Sequence, residues 1–172
     1  SVKLSALHPR YEAVNYDRVM DEMYPRVLEL CTMAADAGIG LCLDAEEADR
    51  LVIQMQVFDR LAREPSLKDW QGLGLAVQAY QKRASHVIDN LVELSAQTGR
   101  RFMVRLVKGA YWDTEIKHAQ VEGLEDFPVF TTKDATDLHY LYCARKLLEA
   151  GSAVYPQFAT HNAHSLACIR LM

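Results

Sequence analysis

The sequence lacks any apolar run near the ~18–20 residues that a bilayer-crossing helix needs, so nothing in it reads as a membrane span. It also lacks basic clusters. Lysine and arginine adjoin only briefly, as at Lys82-Arg83 and Arg100-Arg101, and the net charge is -4. Phosphate backbones require a basic stripe, so these short runs read as solvated helix ends and argue against nucleic acid. Cysteine is sparse. Cys31, Cys42, Cys143 and Cys168 stand far apart in apolar or helical surroundings. That excludes a disulfide frame and fits small buried residues of a reducing compartment. Glycine is too thin for a dinucleotide fingerprint: Gly38-Ile-Gly40 and Gly72-Leu-Gly74 lack the third glycine and precede a strand instead of following one. Lys108-Gly109 reverses the order of a phosphate-binding loop, and no Gly-x-Ser-x-Gly elbow is present. His161 and His164 find no acidic or cysteine partner at ligand spacing, so no metal is expected.

What is present is ordinary globular material, half of it hydrophobic, in a chain of 172 residues. That suffices for one core. Its periodicity alternates. Strands are expected at 2–6, 39–45, 73–79, 102–107 and 153–159. Helices are expected at 16–37, broken by Pro25, and at 46–63, 81–98, 112–121, 134–150 and 163–172. Gly38, Gly99 and Gly151 stand as helix stops. The opening Ser1-Val2-Lys3-Leu4 reads as strand, not as a signal peptide, and the last residues fall inside a helix without a stop signal, so a fragment is expected.

Strict strand–helix alternation implies a parallel sheet with right-handed crossovers. Two architectures compete: an open doubly wound sheet, and a (β/α)8 barrel. A whole barrel takes ~250 residues. About five β/α units at this spacing suit an incomplete one, with residues 1–172 as a single partial barrel domain.

Each strand is apolar until its C-terminal end and then turns polar. Lys3 lies in the first, Asp44 closes the second, Gln78 the third and Thr160-His161-Asn162 the fifth, while Arg105 lies within the fourth. Parallel α/β folds bind ligands at these ends. A charge inside a buried strand is costly unless paired or bound. The competing explanation is a structural Arg105–Asp44 ion pair filling the interior; five strands ending alike favour a shared pocket.

The strings Lys3-Leu-Ser-Ala-Leu-His-Pro-Arg-Tyr11, Asp44-Ala-Glu-Glu, Gln78-Ala-Tyr-Gln-Lys-Arg83, Arg105-Leu-Val-Lys-Gly-Ala-Tyr-Trp-Asp113 and Tyr155-Pro-Gln-Phe-Ala-Thr-His-Asn-Ala-His164 extend the pattern. Together they closely resemble the proline dehydrogenase barrel of the bacterial proline utilization A family, from end to end. The resemblance implies a flavoenzyme: a distorted (β/α)8 barrel holding FAD noncovalently, here represented by its second to sixth strands. Such an enzyme moves hydride from L-proline to the flavin N5, forms Δ1-pyrroline-5-carboxylate, and passes electrons to a membrane quinone. NAD would serve only a second domain outside these residues. Cytoplasmic location, peripheral membrane contact when reduced and a homo-oligomer follow from the same resemblance. So does DNA binding in some members, through regions absent here.

By resemblance, Lys3 meets the substrate carboxylate, with Asp44 tying the polar groups together. Gln78 bonds the flavin pyrimidine, and Arg105 reaches its reactive nitrogen. Leu106, Ala110 and Tyr111 face the proline ring. Val107, Lys108, Gly109, Ala110, Tyr111 and Trp112 wrap the flavin and its phosphates. Thr131 and Lys133 approach the dinucleotide, and Thr160, His161 and Asn162 hold its ribityl, phosphate or adenosine part. The family's arginine pair for the carboxylate lies beyond Met172. The stretch alone is therefore expected neither to fold stably nor to turn over proline. Two other readings remain: a lyase or aldolase barrel with Lys108 as Schiff-base amine, and a barrel remnant serving as a packing module.

Overall fold

The computed structural model describes residues 1–172. Its centre is a parallel sheet of four strands in chain order: β1 (Leu41–Leu43), β2 (Leu73–Gln78), β3 (Phe102–Val107) and β4 (Val154–Phe158). The sheet is open across these residues, so closure into a barrel remains a proposal. Seven α-helices accompany it: α1 (Tyr16–Glu22), α2 (Tyr24–Asp36), α3 (Leu51–Ala62), α4 (Ala84–Thr98), α5 (Trp112–Val121), α6 (Lys133–Glu149) and α7 (Ala163–Leu171).

The first expected strand, at residues 2–6, does not form. Val2 makes a single parallel bridge to Leu43, donating to the Cys42 carbonyl at 2.9 Å and accepting from the Asp44 amide at 2.8 Å. The chain then tightens into a 3₁₀ turn, Leu4–Ala6, which buries Leu4. The long helix expected at 16–37 is two helices. Pro25 has no N–H, so it sits in the first turn of α2, where none is needed, and the break falls at Met23. Gly99 ends α4 in the left-handed conformation at φ 66°, which a side chain would disfavour.

Side chains alternate across β3. Phe102, Val104 and Leu106 are fully buried toward the helices, while Met103, Arg105 and Val107 are only partly covered. The helix side carries a continuous core that includes Phe58, Phe102, Leu75, Tyr140 and Leu147. Phe58 meets Phe102 edge to face, with centroids 5.1 Å apart. Arg100 closes the bottom of this core. Its buried guanidinium donates to the carbonyls of Leu61, Ala62 and Trp70, satisfying the end of α3 and fixing the entry to β2. Burial holds its basicity below the ordinary arginine value. No helix is long and apolar enough to cross a membrane.

Candidate active site

The polar residues converge where the strands end. Lys3, Asp44, Gln78, Arg105, Val107, Lys108, Gly109, Ala110 and Tyr111 line one cavity of about 270 Å³, floored by Ala45 and Ala76. Arg105 Nη2 donates to Asp44 Oδ1 across the intervening strand β2. The register allows this, because Ala76 is the residue beside Arg105 and its methyl leaves the way clear.

Lys3 reaches in from the sheet edge. Its Nζ donates to the Tyr111 hydroxyl at 2.8 Å, a bond that holds the ammonium above the ordinary lysine value. Gln78 braces the wall: Nε2 donates to the Glu46 carbonyl at 2.8 Å, and Oε1 accepts from the Ala110 amide at 3.2 Å. One N–H and one lone pair of that amide stay free for a ligand.

A second cavity of about 340 Å³ adjoins the first, sharing Lys108 and Gly109. Tyr80, Trp112, Thr131, Lys133, Thr136 and Asp137 complete it. Lys108 pairs with Asp137 at 2.5 Å, and Lys133 pairs with the other Asp137 oxygen. The two lysines hold the Asp137 carboxyl below the usual carboxylate range, Lys108 contributing most. Trp112 Nε1 donates to the Phe130 carbonyl at 2.8 Å, and the Phe130 amide donates to the Tyr80 carbonyl at 2.8 Å. The loop before α6 is thereby sewn to the end of β2.

Gly109 takes φ 149°, and a Cβ there would lie 2.4 Å from the Tyr80 ring, so the chain can lie flat on that ring only as glycine.

A larger groove of about 700 Å³, lined by residues such as Tyr16, Met55, Arg60 and His86, shares no lining residue with these two cavities. No group of three or more His, Cys, Asp or Glu side chains stands where it could hold a metal ion.

The sequence model of the family described as proline dehydrogenase matches residues 1–172. The chain belongs to the proline dehydrogenase family. It is 59% identical over 169 residues to the bifunctional protein PutA of Salmonella typhimurium, covering 98% of this chain and 13% of that protein. The chain therefore spans a small part of the curated relatives it matches. A solved bifunctional proline utilization A protein superposes at a TM-score of 0.96 with 54% identity, over 98% of this chain and 17% of that one. The proline utilization A of Bdellovibrio bacteriovorus, a structure described as inactivated by N-propargylglycine, superposes at 0.94 with 33% identity, over 99% and 18%.

As a proline dehydrogenase segment, the chain brings most of the expected site together but not all of it. Leu106 lines neither cavity. It is fully buried on the helix side of β3, because alternation turns it opposite to Arg105 and Val107. Thr160, His161 and Asn162 also stay outside both cavities. Thr160 Oγ1 accepts from the Asn162 amide at 3.0 Å, and Asn162 caps α7 by accepting from the Ser165 amide at 2.9 Å. These bonds shape the loop after β4, which leaves His161 and Asn162 exposed and Thr160 partly covered.

Tyr80, Ala76, Thr136 and Asp137 line the cavities without having been expected there. Only register could have found Ala76, and only the turn of α6 toward Lys108 could have found Asp137.

Proposed function

We propose that this segment carries part of the catalytic site of a flavin-dependent proline dehydrogenase, in which a longer chain completes the barrel. The reading rests above all on the convergence of Lys3, Asp44, Gln78, Arg105 and Tyr111 around one cavity in a member of this family.

The residues present fit FAD. The two cavities share a wall at Lys108 and Gly109. One is rich in ammonium groups (Lys108, Lys133) beside the Thr131 hydroxyl, suited to a pyrophosphate; the other is bounded by hydrogen-bonding groups suited to a polar ring edge. When bound, FAD would supply the acceptor for the hydride that proline gives up.

The chain's own residues orient and stabilise. Lys3 offers its ammonium to the substrate carboxylate, and Tyr111 fixes where that ammonium stands. Gln78 keeps a free donor and acceptor for the flavin edge. Arg105, steadied by Asp44, provides a fixed positive charge where negative charge develops as the acceptor is reduced. Val107 and Ala110 keep that wall small. Quinone reduction, peripheral membrane contact and oligomer formation belong to the same reading of the whole protein.

The Schiff-base alternative loses ground at Lys108. Its amine is paired to Asp137, whereas an imine-forming lysine needs to be desolvated and unpaired.

The test is product chemistry. Full-length, FAD-loaded protein given L-proline and a soluble quinone should form a cyclic imine that o-aminobenzaldehyde traps as a coloured adduct. Failure to form it, with flavin bound, removes proline as the substrate.

A further inference from the structure

Glu46 is a buried carboxylate, 5% exposed, standing behind the wall of the 270 Å³ cavity and not on it. A carboxylate so placed is costly unless donors surround it. Here each oxygen has one. Oε1 accepts from the Ser5 amide at 3.0 Å, and Oε2 accepts from Arg50 Nη1 at 2.7 Å. Arg50 is itself held over the Tyr11 ring, 5.7 Å from its centroid. The Glu46 carbonyl meanwhile takes the Gln78 amide.

The consequence concerns Lys3. Its neighbour Val2 is bridged to Cys42 and Asp44, and Ser5, two residues beyond it, is tied to Glu46. Lys3 is thus strung between two tethers, both attached to the segment Cys42–Glu46 that leads out of β1. Its backbone is extended and makes no side-chain cap of its own; the Ala6 amide closes the turn on the Lys3 carbonyl at 3.1 Å, and the Ser5–Glu46 bond anchors that turn behind the wall of the site.

We propose that Glu46 is a positioning residue for Lys3, setting where the ammonium meets the substrate carboxylate. The proposal rests on the reading of Lys3 given above. An amide cannot replace the carboxylate fully, because both oxygens face donors and the NH₂ of a glutamine would confront one of them.

The experiment is a double-mutant cycle in the full-length, flavin-loaded protein, with Glu46→Gln, Lys3→Met and the pair together. Glu46→Gln is expected to raise the KM for proline roughly tenfold. It should change kcat less and leave flavin content and visible spectrum alone. In the Lys3→Met background, the same substitution should raise KM no further. Arg50→Gln, which frees the other oxygen, should give a smaller rise that also vanishes in that background, and it serves if Glu46→Gln does not fold. KM effects that simply add to that of Lys3→Met, or a fall in kcat accompanied by flavin loss, would overturn the proposal while leaving the reaction standing. A wild-type protein whose flavin proline leaves untouched overturns both.

Discussion

Arg105 of β3 grips Asp44 at the end of β1 by passing over Ala76 of β2, so the ion pair spans three strands at the mouth of the cavity. Both side chains are partly exposed toward the cavity, unlike a pair that merely fills an interior. If the guanidinium stabilises charge during proline oxidation, Arg105→Met in the flavin-loaded protein should slow proline-dependent flavin reduction by about 10²–10³-fold. Asp44→Asn should slow it less, since the cation remains. Stopped-flow absorbance measures both; equal small effects would reduce the pair to a structural role.

Gly109 predicts a cofactor defect. Gly109→Ala drives a methyl into the Tyr80 ring at a φ that L residues avoid, costing about 1–3 kcal/mol of local strain. The wall shared by both cavities should move. The flavin-to-protein ratio after gel filtration should fall well below that of the parent; an unchanged ratio would show that this wall does not contact flavin.

Glu115 predicts a pH dependence. It is buried on α5, and its Oε1 accepts from the Ala48 amide at 2.6 Å. Burial raises its carboxyl above the ordinary value of 4.5. A raised acid is stabilising in its protonated form, so its contribution is complete below pH 4.5 and is lost as pH climbs through the raised value. Glu115→Gln keeps an oxygen for Ala48 and cannot ionise. Its melting temperature should match the parent's under acid conditions and exceed it at neutral pH. A variant equally destabilised at both would contradict this.

Thiol reactivity should separate the cysteines. Burial pushes the Cys31 thiol up to about 11 and Cys143 to about 12. Thiolate is the reactive form, so both should resist alkylation in the native protein. Cys168 is partly exposed beside His164, with Sγ 3.5 Å from Nε2. Peptide mapping after brief iodoacetamide treatment should find Cys168 modified first among the four; labelling of Cys31 or Cys143 at a similar rate would contradict the packing described.

The sequence carried the sheet well where apolar runs were bounded by clear stops. Phe102–Val107 and Trp112–Val121 fall where periodicity puts them, and Pro25 marks the break before α2. Residues 2–6 misled because Val2 and Leu4 suit a strand and a 3₁₀ turn equally, and the outcome depends on Glu46, distant in sequence, claiming the Ser5 amide. Leu106 could not be placed from its motif for a different reason. The motif is contiguous, but alternation sends neighbouring residues to opposite faces, and Leu106 lies in the core while Arg105 lines the cavity. The buried roles of Glu46 and Glu115 left no local trace, since acidic residues near helix starts ordinarily face water.

The most direct test of the central reading is the anaerobic visible spectrum of the full-length, flavin-loaded protein before and after L-proline. Bleaching of the flavin bands on proline addition is the predicted result, with Lys3, Arg105 and Tyr111 governing its rate and concentration dependence. Flavin bands that persist at saturating proline would contradict it.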